Sequence, residues 1–114
     1  MAEFVYLYRG GEPRPSSPEA QQQITQKWVT WMKGLADGGH IIDRGQPLER
    51  TGKLVRNGGK MVTDGPFAEA KDVIGGFTLI KADDVAQAAE LAKGCPILER
   101  GGDVEVRPVM RLDM

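Results

Sequence analysis

Apolar residues recur along this chain with two different periods, and the changes of period divide it into strands and helices. An aromatic and β-branched run over 4–8 lacks polar alternation, which predicts a strand that is apolar on both faces. Ser17-Pro18 then offers a helix N-cap followed by proline at the first helical position. Apolar residues at helical spacing and a terminating glycine pair follow, at Ile24, Trp28, Trp31, Leu35 and Gly38-Gly39.

A β-hairpin is predicted near the middle of the chain, with further strands and a second helix in the rest of the sequence. Asn57-Gly58-Gly59 separates two apolar segments, 54–56 and 60–62, and predicts a tight turn because Asn and Gly tolerate positive φ. Four more elements are predicted: an extended segment over 40–42, a strand over 73–80, an Ala-rich helix between Asp83-Asp84 and Lys93-Gly94, and an alternating strand over 103–107. The spacing of apolar residues predicts that this helix buries Val85, Ala88, Ala89 and Ala92. Gly75-Gly76 inside its strand indicates a bulge or a close approach of another backbone.

The order β-α-β, hairpin, β-α-β predicts an α+β fold. Two β-α-β units whose crossovers share a hand form a ferredoxin-like, split βαβ sheet with an inserted β-hairpin and both helices on one face. No further predicted element covers the other face, although the first strand is apolar there as well. We therefore expect a homodimer that packs sheet against sheet as an α+β barrel. The 114 residues suit a single domain over 1–114.

Composition and charge narrow the classes of partner and cofactor. Fifteen Lys and Arg against sixteen Asp and Glu leave a net charge of −1, without blocks, so we expect neither nucleic acid nor membrane as a partner. One Cys and one His cannot build a zinc site or an internal disulfide, and no phosphate-binding glycine motif occurs. We expect no metal and no cofactor. The N-terminal segment lacks the pattern of a signal peptide, which predicts a cytoplasmic protein.

The segment from Asp64 to Phe77 begins Asp-Gly-Pro-Phe and resembles the signature of the DGPF branch of the YCII-related proteins. Tyr8-Arg9-Gly10-Gly11 and the closing 102–108 extend this resemblance over nearly the whole chain. It implies the family's dimeric α+β barrel, whose relatives include lactone isomerases and a dehydrochlorinase. DGPF proteins are also encoded beside extracytoplasmic-function sigma factors. The resemblance thus implies a small-molecule enzyme or, as the alternative, a ligand-sensing or partner-binding module linked to sigma-factor regulation.

Two residues are candidates for proton transfer. The resemblance carries over the acid, Asp64, whereas the His that plain YCII proteins have on the first helix is absent here. Asp64 either caps the turn at Gly65-Pro66 or projects into a cleft, where burial would raise its pKa and suit it to isomerase or lyase chemistry. His40 is the remaining candidate acid or base, with a capping or surface role as the alternative.

Three charged residues on the first and last predicted strands are candidates for binding substrate. Strand alternation places Arg9, Glu105 and Arg107 on the face away from the helices. If that face lines the barrel, the guanidinium of Arg107 would anchor a substrate carboxylate. The alternative is an ion pair between Glu105 or Asp103 and a basic neighbour. The sequence therefore predicts binding of a small organic molecule, anionic if Arg107 holds it, in a pocket near Asp64.

Overall fold

The computed structural model describes residues 1–64 and 73–112, and its elements follow the predicted order. The strands and helices are β1 (Ala2–Gly10), α1 (Pro18–Asp37), β2 (Ile41–Asp43), β3 (Lys53–Arg56), β4 (Met61–Asp64), β5 (Ile74–Ala82), α2 (Val85–Ala92) and β6 (Gly102–Pro108). Short 3-10 helices span Asn57–Gly59 and Pro96–Arg100. The α+β fold expected from the sequence is confirmed.

Four of the strands form one antiparallel sheet in the order β2-β5-β1-β6. The central strand β1 pairs with β5 on one side, where Tyr6 lies opposite Thr78, and with β6 on the other, where Tyr6 lies opposite Val106. This is the strand order expected of a split βαβ sheet. Strands β3 and β4 form a separate two-stranded sheet.

The core lies between this sheet and the two helices. Burial alternates along β1, so that Phe4, Tyr6 and Tyr8 are buried against the helical layer. They pack with buried residues from both helices and from β5, among them Leu35, Ile80, Ala88 and Ala92. The hydroxyl of Tyr6 donates a hydrogen bond of 2.5 Å to the carbonyl oxygen of Ala88, which satisfies this polar group inside the core.

Both helices begin at the predicted caps, but α2 is rotated from its predicted orientation. The side chain of Asp84 accepts a hydrogen bond of 2.8 Å from the Gln87 N–H. The expectation that Val85 and Ala89 lie in the buried stripe is wrong, since Val85 is exposed and Ala89 is not among the buried residues. Because α2 docks through Ala88, its buried face contains the residues three and four positions later, Leu91 and Ala92.

The other face of the sheet carries apolar side chains that no helix covers within the described residues. These are half-buried residues of the two central strands: Val5, Leu7, Phe77 and Leu79. We call this surface the open face. Its composition agrees with the prediction of a first strand that is apolar on both sides.

The β3–β4 hairpin lies outside the packed body. Its turn contains three consecutive residues with positive φ, Asn57, Gly58 and Gly59, as the sequence predicts. Val55 and Val62 face each other across the hairpin, and their side chains are 63% and 61% exposed. The radius of gyration is 15.7 Å, against about 13 Å for a compact domain of similar length. The hairpin therefore extends the molecule rather than contributing to its core.

Candidate functional site

A cleft of about 680 Å³ opens between α1 and one end of the four-stranded sheet. Its floor consists of β1 and β5, with Tyr8, Gly76 and Thr78 lining it. One wall is α1, and the opposite wall is the segment 44–48 that follows β2. This volume lies within the range of roughly 300–1,000 Å³ that is typical of small-molecule sites.

The wall segment 44–48 lies directly on β5 at the glycine pair. The N–H of Leu48 donates a hydrogen bond of 2.8 Å to the carbonyl oxygen of Gly75, and Pro47 forms a β-bridge with Gly76. A Cβ atom on Gly76 would lie 3.1 Å from the carbonyl oxygen of Gln46. The close backbone approach that Gly75-Gly76 indicates in the sequence is therefore made by this wall of the cleft.

A chain of two hydrogen bonds joins the floor to this wall. The hydroxyl of Tyr8 donates to Thr78 Oγ1 at 2.7 Å, and the hydroxyl of Thr78 donates to the carbonyl oxygen of Arg44 at 3.0 Å. Thr78 is completely buried. Burial raises the pKa of the Tyr8 phenol far above its ordinary value, so this group stays protonated and acts as a hydrogen-bond donor at neutral pH.

The charged residues around the cleft are predominantly basic. Among the described residues that line it, the charged side chains are Glu12, Arg14, Arg44, Arg50 and Arg100. Four positive charges and one negative charge give a local balance of +3, whereas the whole chain carries −1. Positive potential is thus concentrated at the cleft and would attract anions.

The four arginines divide into two pairs with different roles. Arg100 donates hydrogen bonds to the carbonyl oxygens of Pro13 at 2.7 Å and Glu12 at 3.4 Å, and Arg50 donates to that of Gly11 at 3.4 Å. These two side chains brace the loop between β1 and α1. Within the described part of the chain, the guanidinium groups of Arg14 and Arg44 have no ion-pair partner.

Apolar and aromatic side chains make up the interior of the cleft. The indole of Trp28 packs edge to face against the ring of Tyr8, with centroids 4.9 Å apart and planes at 86°. Other apolar lining residues come from α1, the wall segment and the second 3-10 helix: Ile24, Val29, Met32, Leu48 and Ile97. The cleft therefore combines an apolar interior with basic residues.

The chain is similar to one known protein family over almost its whole length. The model of the YCII-related domain matches residues 6–113, almost the whole chain. The chain belongs to the YCII-related family. No curated protein matches it. Among solved structures it is similar to a Burkholderia phenoliruptrix 5-chloro-2-hydroxyhydroquinone dehydrochlorinase in complex with 2,5-dihydroxybenzoquinone, at 15% identity and a TM-score of 0.44 over 97% of this chain and 93% of that chain.

The structure places Asp64 of this YCII-related chain on the hairpin and not in the cleft. Its carboxylate is exposed at the end of β4 and forms an ion pair with Lys53. Residues 65–72, which contain most of the DGPF-like segment and the turn that Asp64 would cap, lie outside the described residues. Asp64 is not among the described residues that line the cleft.

His40 lies elsewhere and has a different partner. It immediately precedes β2, and its Nδ1–H donates a hydrogen bond of 2.9 Å to the carbonyl oxygen of Lys81 on β5. The two candidates belong to different sheets, because Asp64 lies on the two-stranded hairpin whereas His40 precedes the edge strand of the main sheet. The observed contact of His40 with the backbone corresponds to the capping alternative.

The three predicted binding residues do lie together, on the open face. Arg9 Nη1 is 2.8 Å from Glu105 Oε1, and Arg107 Nε is 3.9 Å from Glu105 Oε2. None of them is among the residues that line the cleft. Within this chain they form the ion pairs that the sequence left as the alternative to substrate binding.

The free cysteine, Cys95, is buried and does not line the cleft. Burial raises the pKa of the Cys95 thiol to about 12, so it is protonated and inert near neutral pH. Over residues 1–64 and 73–112, no cluster of His, Cys, Asp or Glu is suited to a metal ion. In the same residues no helix is long and apolar enough to cross a membrane.

The residues that line the cleft were not predicted from the sequence. Strand alternation places Tyr8 and Thr78 on the helix-facing side of the sheet, and Thr78 is the one polar residue among apolar and glycine neighbours there. Such a polar residue on a buried face signals a buried hydrogen-bond partner. Arg14 and Arg44 carry no comparable signal, because both lie in irregular segments whose position depends on the tertiary fold.

Proposed function

We propose that this YCII-related protein binds a small organic molecule in the cleft beside α1. The proposal is carried by one observation, a cleft of about 680 Å³ with an apolar interior and a few convergent polar groups. We further propose that the chain is one domain over 1–114 and belongs to the DGPF branch, as the resemblance from Asp64 to Phe77 implies.

The residues of the cleft support binding more strongly than catalysis. Glu12 is the sole carboxylate among the described lining residues, and it lies 3.9 Å from a guanidinium nitrogen of Arg100. Tyr8 keeps its proton because burial raises its pKa. Isomerase or lyase chemistry is therefore a separate proposal. It rests on Asp64, which lies on the hairpin, as the acid or base.

Filling the cleft is expected to abolish ligand binding. Val29 lines the cleft from α1, and its side chain is 51% exposed, so Val29→Trp places a large ring in the cleft without disturbing the core. In a thermal-shift screen, compounds that raise the Tm of the wild type should not raise that of this variant. The matched control is Val85→Trp, since Val85 is 50% exposed on α2 and does not line the cleft. Equal shifts in Val29→Trp and wild type would place the ligand elsewhere.

We also propose that two copies associate through their open faces. The half-buried side chains of Val5, Leu7, Phe77 and Leu79 leave an apolar sheet surface uncovered. An antiparallel sheet can expose one face to water, but that face is then usually polar. A second copy on this surface would give the dimeric α+β barrel that the family resemblance implies.

A charged residue on the open face is expected to break this dimer. Leu7 lies on the open face, so the ammonium group of Leu7→Lys stays in water in the monomer but is buried among apolar side chains in the dimer. We expect a loss of about 3 kcal/mol or more, roughly a hundredfold in the dissociation constant. Light scattering after size exclusion should report a dimer for the wild type and a monomer for Leu7→Lys. A monomeric wild type would contradict the proposal.

The hairpin favours a second candidate, a module that binds another macromolecule. Its exposed Val55 and Val62, with Leu54 and Met61 on the other face, form an apolar surface outside the open face. The double variant Val55→Ser/Val62→Ser should stay dimeric in the same measurement. If it becomes monomeric, the hairpin is part of the dimer interface and no free surface is left to support this candidate.

A further inference from the structure

We propose that the ligand of the cleft is an amphipathic organic monoanion, with its carboxylate held by Arg14 and Arg44 and its apolar body packed beside Trp28. This inference rests on the proposed function and names the chemical class of the ligand. It departs from the sequence-derived expectation, which assigned the anion to Arg107 on the open face.

The charge distribution selects an anion. The described lining residues carry a balance of +3 in a chain whose total charge is −1, and they include no lysine or aspartate. Glu12, the one acidic residue, is already close to Arg100. A cationic or neutral ligand would leave this concentration of positive charge uncompensated, whereas a carboxylate would neutralise part of it.

The division of the arginines selects a single anionic group. Arg50 and Arg100 bind backbone carbonyl oxygens of the β1–α1 loop and so have a structural role. Arg14 and Arg44 are exposed and, in the described residues, lack ion-pair partners. A guanidinium group presents donors in a planar fork that matches a carboxylate. Two such groups suit one carboxylate better than a polyphosphate.

Arg44 is carried by a segment that the fold holds in place. The hydroxyl of Thr78 binds the carbonyl oxygen of Arg44 at 3.0 Å. The next residue, Gly45, packs so closely on β5 that a Cβ atom there would lie 1.7 Å from the carbonyl oxygen of Phe77. The backbone that carries Arg44 is thereby fixed before a ligand arrives, which reduces the entropy lost on binding.

The interior of the cleft selects an apolar body. Ile24, Trp28 and Met32 of α1 line the same cleft as the basic residues. These groups offer no hydrogen bonds to a ligand apart from the indole N–H of Trp28, so a small inorganic anion would leave most of the apolar surface in contact with water. An anion that carries an aromatic or aliphatic body removes this surface from water.

The test compares three probes by titration calorimetry at pH 7: 2-naphthoate, its neutral analogue 2-naphthamide, and inorganic phosphate. We expect 2-naphthoate to bind the wild type about tenfold or more tightly than the amide, and phosphate to bind at least as weakly as the amide. Arg14→Gln/Arg44→Gln should abolish the difference between 2-naphthoate and the amide. Arg56→Gln/Arg111→Gln changes the net charge equally at exposed positions outside the cleft and should preserve it.

A further variant tests whether the apolar body of the ligand packs inside the cleft. Leu48 lines the cleft and is partly exposed, so Leu48→Ser should weaken 2-naphthoate and 2-naphthamide by the same factor and leave the preference between them unchanged. Equal affinity of the wild type for the two aromatic probes would overturn the anionic class. Phosphate binding as tight as that of 2-naphthoate would overturn the amphipathic class. If neither aromatic probe binds, the assignment is wrong, and the Val29→Trp screen decides separately whether the cleft binds any small molecule.

Discussion

Gly45→Ala is expected to destabilise the protein by about 3 kcal/mol. Gly45 has a φ of +74°, a region in which an L-residue costs roughly 1–2 kcal/mol. In addition, its Cβ atom would lie 1.7 Å from the carbonyl oxygen of Phe77, a backbone atom of the central part of β5. Either the wall segment or the strand must move to relieve this overlap.

The same substitution should impair the cleft, because the displaced wall carries Arg44. Urea denaturation measures the loss in the free energy of unfolding, and the thermal-shift screen measures the loss of ligand binding. Gly39→Ala is the matched control, since Gly39 has a φ of +77° and a methyl group added there would meet no neighbouring atom within 4 Å. Gly39→Ala should lower the free energy of unfolding by only about 1–2 kcal/mol, the cost of placing an L-residue at a positive φ. Equal losses at the two glycines would show that the approach of Gly45 to Phe77 imposes no constraint.

Thr78→Val is expected to destabilise the protein by about 2–4 kcal/mol, although the two side chains have nearly the same shape. The hydroxyl of Thr78 accepts from Tyr8 and donates to Arg44, and the substitution leaves both partners without a hydrogen bond. Each buried polar group that loses its partner costs roughly 1–3 kcal/mol. The loss should appear as a lower denaturation midpoint with an unchanged m-value.

A double-mutant cycle separates this effect from general damage to the core. Tyr8→Phe removes the hydroxyl that Thr78→Val orphans, so the double variant should be more stable than the sum of the two single losses predicts, by about 1–2 kcal/mol. Full additivity would mean that the hydrogen bond between Tyr8 and Thr78 contributes nothing to stability. Tyr8→Phe alone should cost about 1 kcal/mol, because Thr78 keeps its bond to Arg44.

Local sequence signals predicted most of the secondary structure because each element is ended by residues with specific backbone preferences. Ser17 and Asp84 cap the two helices as predicted, and the positive φ angles at Asn57, Gly58 and Gly59 form the predicted turn. The strand order followed from the alternation of elements and the rules for their connection. The face of α2 was predicted less well, since apolar residues recur at helical spacing both at positions 85, 88, 89 and 92 and at positions 88, 91 and 92.

The candidate site was much harder to predict, because it depends on contacts between distant segments. Glycine at 75 and 76 indicated that something lies close to β5, but nothing local shows that the segment after β2 fills this space. Because the DGPF-like segment begins at Asp64, the sequence predicted a site near this residue. The carboxylate of Asp64 lies on the hairpin. The basic residues of the cleft come from separate loops and from the second 3-10 helix, so no spacing along the chain connects them.

Strand β1 contributes alternate residues to two separate surfaces. Its even-numbered residues, such as Tyr6 and Tyr8, face the core and the cleft, whereas the odd-numbered Val5 and Leu7 belong to the open face. Inserting or deleting one residue in this strand would exchange the two sets, because side chains alternate with a period of two. A substitution at an even-numbered position of β1 therefore perturbs the core or the cleft, whereas one at an odd-numbered position perturbs the open face. An insertion or deletion within this strand perturbs both surfaces.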